Sequence, residues 1–99
     1  MNILHSNIVQ ISGLCKKHKV DKLYAFGSVG TEQFNDQSDI DLIVKFRNID
    51  LLEYADNYFD LKFSLENLFK KDVDLLEDQA ISNPYLRKSI DATKMLVYG

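Results

Sequence analysis

Tryptophan is absent, proline occurs once and glycine four times in 99 residues. Low-complexity linkers, collagen-like repeats and disordered tails all need a stronger compositional bias than that. The single cysteine, Cys15, cannot close an internal disulfide, and the two histidines, His5 and His18, have no Cys or His cluster around them, so zinc is not expected. A reducing, cytoplasmic setting suits such a chain. Cys15 is expected to pack inside a helix, and both histidines are expected at exposed helix positions. No apolar run approaches the ~20 residues that cross a bilayer, and no basic leader precedes an apolar core. Membrane association is therefore not expected. Positive charge is short as well, with 12 Lys and Arg against 15 Asp and Glu, for a net charge of −3. Long nucleic acids are held by basic surface, so nucleic-acid binding is not expected either; a nucleotide carrying its own metal ion remains compatible.

What the chain does have is apolar substance: 45% of residues are hydrophobic and 27% charged. That balance predicts one globular domain over residues 1–99. Ile3, Leu4, Ile8, Ile11 and Leu14/Cys15 recur at helical steps, so an amphipathic helix is expected to end near Lys16-Lys17-His18-Lys19. Strands are expected over 22–26 and 39–46, with a short helix over 28–33 and a polar loop over 32–38 between them. A long helix from about Asp50 to Lys70 follows, capped by Asn48 or Asp50. It carries Leu51, Tyr54, Tyr58, Leu61, Leu65 and Leu68 in one stripe and Leu52, Ala55, Phe59 and Phe63 in a second. Together they cover an arc of roughly 220°, more than the one-sided stripe of an ordinary surface helix. The second stripe is expected to meet a partner or another copy of the chain. A third strand over 71–76, a polar connection over 77–83 and a last helix from Pro84 through Val97 complete the order helix, strand, strand, helix, strand, helix. This predicts an α/β (α+β) fold with helices packed mainly on one face of a mixed sheet.

The informative stretch runs from Phe26-Gly27-Ser28 to Ser38-Asp39-Ile40-Asp41-Leu42. A Gly-Ser pair at a strand end lets a phosphate approach bare backbone. Side chains alternate along a strand, so Asp39 and Asp41 share one side while Ile40, Leu42 and Val44 take the other. Two neighbouring carboxylates resist joint ionisation unless a cation lies between them, and hard oxygen donors suit Mg²⁺ or Mn²⁺ with substrate phosphates as further ligands. A metal-bound nucleoside triphosphate, ATP or another, is the expected ligand.

Gly27-Ser28, ten residues, then Asp39-Ile40-Asp41 resembles the signature of the DNA polymerase beta-type nucleotidyltransferase superfamily. Within it, the short chain and Ser38-Asp39-Ile40-Asp41-Leu42 resemble the minimal nucleotidyltransferases, antitoxin partners of HEPN-domain toxins. The resemblance covers about Lys22 to Tyr98. It implies a nucleotidyltransferase-like sheet, and it implies Asp74, in Val73-Asp74-Leu75-Leu76, as a third metal carboxylate beside Asp39 and Asp41. It further implies Gly27 and Ser28 as the nucleotide-binding pair and AMP transfer from ATP to a hydroxyl of a helical HEPN protein. One departure stands out: many members follow Gly-Ser-x with Ala-Arg-Gly, where this chain has Gly30-Thr31-Glu32. An acid in place of a base near the phosphates predicts slow turnover, and it keeps a binding-only antitoxin in view. An aminoglycoside-type enzyme would need a second helical domain to seat its acceptor.

Overall fold

The computed structural model describes residues 3–26 and 39–99. The first amphipathic stretch forms two helices, α1 (Ile3–Ser6) and α2 (Ile8–Lys17), rather than one. The break falls at Asn7, whose side-chain amide donates to the Ile3 carbonyl at 2.8 Å. Leu4, Ile11 and Cys15 face the core as the spacing predicts, and burial pushes the Cys15 thiol up to about 12, as suits a packing residue. Lys19 then adopts a left-handed φ of 59°, which ends the helix without a glycine. Its carbonyl accepts from the Arg47 N–H at 2.8 Å, tying this turn to the far end of the second strand.

His18 is not at an exposed position: it is 2% exposed. Its Nδ1 lies 2.7 Å from the Leu14 carbonyl oxygen and its Nε2 2.5 Å from an Asp60 carboxylate oxygen. The flanking lysines hide this in the sequence, because what buries the ring is a helix more than forty positions away in the chain, and its two nitrogens are then satisfied locally.

Among the described residues four strands, not three, form the sheet, in the order β3-β2-β1-β4. β1 (Val20–Phe26) runs antiparallel to β2 (Ile40–Phe46), which pairs parallel with β3 (Val73–Glu77). β2 is central: Ile40, Leu42 and Val44 belong to the main core, while on the opposite face Ile43 is buried between half-buried Asp41 and exposed Lys45. The third helix, α3 (Leu51–Phe69), is capped by Asp50, whose carboxylate accepts from the Leu52 N–H at 3.1 Å. It buries Leu61, Leu65 and Phe69 against the sheet. Its other side stays open, with Leu52 90%, Phe59 49% and Phe63 59% exposed and the two phenylalanine rings stacked at 6.1 Å. Leu51, in the first turn, is also exposed.

After β3 comes a 3₁₀ turn (Asp78–Ala80), then α4 (Pro84–Thr93), with Pro84 in its first turn and the Asn83 side chain accepting from the N–H groups of Tyr85 and Leu86. This helix stops at Thr93. Val97, expected to continue it, lies instead in β4 (Met95–Tyr98), which pairs antiparallel with β1. The run Met95-Leu96-Val97-Tyr98 offers β-branched and aromatic side chains to an edge that β1 would otherwise leave open. Lys94, just past α4, sits 4.4 Å from the centre of the Tyr24 ring. Tyr24 is paired with Ile43, so the end of α4 lies over the face opposite α3. No helix among the described residues is long and apolar enough to cross a membrane.

Candidate active site

The register of the sheet brings the candidate carboxylates together. Asp41 stands second in β2, opposite Phe26 of β1 on one side and Asp74 of β3 on the other. Asp74 is thus its direct neighbour across a parallel pair, although 33 positions separate them in the chain. Alternation puts both on the face opposite Ile40, Leu42, Val73 and Leu75, which are buried in the main core. Asp39, exposed, lies just before β2, two residues ahead of Asp41. Gly27 and Ser28, the expected 28–33 helix and Gly30-Thr31-Glu32 lie outside the described residues. β1 runs up to Phe26, level with Asp41, immediately before Gly27.

The electrostatics follow from this grouping. Burial, then the charges of Asp74 and Asp39, pushes the Asp41 carboxyl above its ordinary value. Asp74 and Asp39 thus both act on Asp41, with no cation of the protein among the causes. Among the described residues no group of three or more acidic, histidine or cysteine side chains forms a ready-made metal cage. An open set of oxygen donors with uncompensated negative charge fits Mg²⁺ better than a closed site would, because Mg²⁺ retains waters and takes substrate phosphates as ligands.

Two side chains of α3 close on the same strand. The Tyr58 hydroxyl donates to the Leu75 carbonyl, and a Glu66 carboxylate oxygen accepts from the Val73 N–H at 3.0 Å. Burial first, then the charges of Asp74 and Glu77, raises the Tyr58 hydroxyl above its ordinary value. The sequence hid these contacts: Tyr58 reads as one member of an apolar stripe, and Glu66 belongs to neither stripe. A cleft of about 640 Å³ opens at the other end of β2, lined by Phe46, Arg47, Leu51 and Tyr54 among others. None of the three aspartates lines it, so its size gives it no claim on the carboxylate chemistry.

Comparison with known proteins agrees with this geometry. A family model described as polymerase beta nucleotidyltransferase matches residues 9–99. The chain belongs to that family. A candidate protein adenylyltransferase of Methanocaldococcus jannaschii is 38% identical over 78 residues, covering 79% of this chain and 76% of the relative. A solved structure described as a candidate minimal nucleotidyltransferase superposes with a TM-score of 0.77 at 27% identity, covering 96% of this chain and 95% of the other. An antitoxin of the minimal nucleotidyltransferase type, solved with a tri-AMPylated HEPN toxin of Shewanella oneidensis, shares the fold with a TM-score of 0.67. That match is 21% identical and covers 98% of this chain and 73% of the other. The chain is a minimal nucleotidyltransferase, and the mixed sheet expected from its sequence is the nucleotidyltransferase sheet. Nucleotidyltransferases of this type generally use divalent metals.

Proposed function

We propose that this nucleotidyltransferase moves AMP from ATP to a hydroxyl of a helical HEPN toxin and so acts as its antitoxin. The observation that carries the reading is the facing pair Asp41 and Asp74, with Asp39 close enough to act on both the charge and the proton affinity of Asp41. The name of the M. jannaschii relative and the AMPylated toxin in the S. oneidensis complex supply the substrate class by analogy.

In this reading Asp39, Asp41 and Asp74 are the carboxylates that would hold Mg²⁺, or Mn²⁺, and Gly27 with Ser28 would offer amide and hydroxyl donors to the β- and γ-phosphates. Such an ion, when bound, would supply charge neutralisation and Lewis-acid polarisation at the phosphates. The acceptor hydroxyl oxygen forms a bond to the α-phosphorus, the bond from that phosphorus to the pyrophosphate oxygen breaks, and pyrophosphate leaves. The acceptor's proton passes to Asp74 as general base. ATP and the acceptor give the AMP ester, pyrophosphate and one proton. Glu32, acidic where a base would help hold phosphate, makes turnover slow.

The exposed Leu52, Phe59 and Phe63 favour a second role that needs no chemistry, which is gripping the toxin through α3. One measurement separates the two. The protein is mixed with its toxin, ATP and Mg²⁺, and the toxin is weighed by intact mass spectrometry. A gain of one or more AMP units, lost with Asp74→Asn, supports transfer. A tight complex with no gain in mass refutes transfer and leaves the binding-only antitoxin.

A further inference from the structure

β3 is an edge strand, and edge strands present a row of unpaired backbone groups. Which groups those are can be worked out from one hydrogen bond. The Ile40 N–H donates to the Asp72 carbonyl at 3.0 Å, so the backbone of residues 72 and 74 points towards β2. The backbone of residues 73 and 75 must then point outward. α3 meets two of these outward groups: Glu66 accepts from the Val73 N–H at 3.0 Å, and Tyr58 donates to the Leu75 carbonyl. One donor and one acceptor are thereby satisfied, on the two residues that flank Asp74. Tyr58 and Glu66 are eight positions apart, close to two helical turns, and so project on the same side of α3.

The consequence is mechanical. Asp74 is bonded through its own backbone to β2, in register with Asp41, and both of its neighbours are bonded from the opposite side to a helix of 19 residues. That helix is anchored to the core by Leu61, Leu65 and Phe69, all in the three turns alongside the two contacts. A five-residue edge strand held on one side alone frays and shifts; held on both, it fixes how far Asp74 stands from Asp41.

We propose that Tyr58 and Glu66 are positioning residues that set the spacing of Asp74 from Asp41 by holding the backbone on either side of Asp74. The inference rests on the reading of these aspartates as metal carboxylates. Side chains that orient metal-binding groups typically change affinity by about 10-fold or more when removed, without touching the ion themselves.

The test uses the full chain with Mn²⁺ as the probe, free Mn²⁺ being followed by electron paramagnetic resonance. Four variants are compared: Tyr58→Phe, Glu66→Ala, Glu66→Gln and Asp74→Asn, each first shown to keep the wild-type circular dichroism. Tyr58→Phe and Glu66→Ala should each weaken Mn²⁺ binding by about 10-fold. Glu66→Gln, which retains an oxygen to accept from Val73, should restore most of it. In AMP transfer, kcat should fall for the same two variants while half-saturation by ATP stays put. If Tyr58→Phe and Glu66→Ala only lower the melting temperature and bind Mn²⁺ like the wild type while Asp74→Asn does not, the contacts merely seal a sheet edge and the positioning role is overturned. If Asp74→Asn itself binds Mn²⁺ normally, the assignment of Asp74 to the metal is wrong, and the positioning role falls with it.

Discussion

Replacing Asp41 by asparagine should make the metal-free protein more stable and less able to bind its nucleotide. Asparagine keeps the size and polarity of the side chain but removes a charge that is half-buried opposite Asp74 and next but one to Asp39. Neighbouring strands lie about 4.8 Å apart. Two unit charges at that distance repel by about 1 kcal/mol in bulk water and about 3.5 kcal/mol at an effective dielectric of 20. Asp74 is exposed and both carboxylates can splay, so the lower figure is the better one. A gain of about 1 kcal/mol raises the melting temperature of a domain this size by roughly 4–8 °C.

The assay is differential scanning calorimetry at pH 7 and low ionic strength without divalent ions, repeated in high salt, where screening should shrink the difference. The pH dependence has a definite sign. Asp41 has a raised carboxyl pKa in the fold, so the folded state holds that proton more tightly than the unfolded chain. The contribution of Asp41 to wild-type stability is then fullest below the unfolded value of about 3.9 and declines as pH rises through the raised one. Asp41→Asn should lack that decline. Mg²⁺ should stabilise the wild type by mass action and leave the variant unmoved, and calorimetric titration with Mg²⁺ and ATP should lose its metal-dependent part. A melting temperature that falls in Asp41→Asn, or Mg²⁺-dependent ATP binding that survives it, would refute the electrostatic reasoning.

Four further outcomes are expected. His18→Ala should lower the free energy of unfolding in urea by about 1–3 kcal/mol, since it removes the ring's links to the Leu14 carbonyl and the Asp60 carboxylate and empties a buried site. Hydrogen bonding to His18 holds the Asp60 carboxyl below its usual range, so that link contributes above the unfolded carboxylate value of about 3.9 and is lost as pH falls through the lowered one; Asp60→Asn should remove this part of acid unfolding. Leu42→Ala, at a fully buried position of the central strand, should reduce stability by about 2–5 kcal/mol in denaturant titrations. Phe59→Asp/Phe63→Asp should leave the fold intact while abolishing capture of the toxin in pull-down and any self-association seen by sedimentation.

Where a feature depends on local periodicity, the sequence was a sufficient guide. Alternation in Asp39-Ile40-Asp41-Leu42 separates carboxylates from core, the cap at Asp50 and the start at Pro84 hold for their helices, and the open Phe59 and Phe63 face is where the second stripe of α3 predicts. Where a feature depends on which element lands on which, it was not. His18 sits among lysines and reads as solvated, because nothing near it in the chain announces Asp60. β4 is too short to stand out beside a helical pattern that Val97 continues by chance, and its stability comes from pairing with β1 rather than from its own residues.

Asp74 lies between these cases. Family resemblance picks it over Asp72, and a strand's period-two pattern alone could not, since both share a face. The sheet adds a physical reason: residue 74 is paired with residue 41, whereas Asp72, one step beyond the end of β3, has no register partner in β2. The same pairing explains why the site needs support. Parallel partners that carry like charges directly opposite one another work against the pairing, and here they do so at the edge of the sheet. A strand that must hold a charge where it is repelled requires bonds on its far side, and the hydroxyl of Tyr58 and the carboxylate of Glu66 are placed where those bonds can be made.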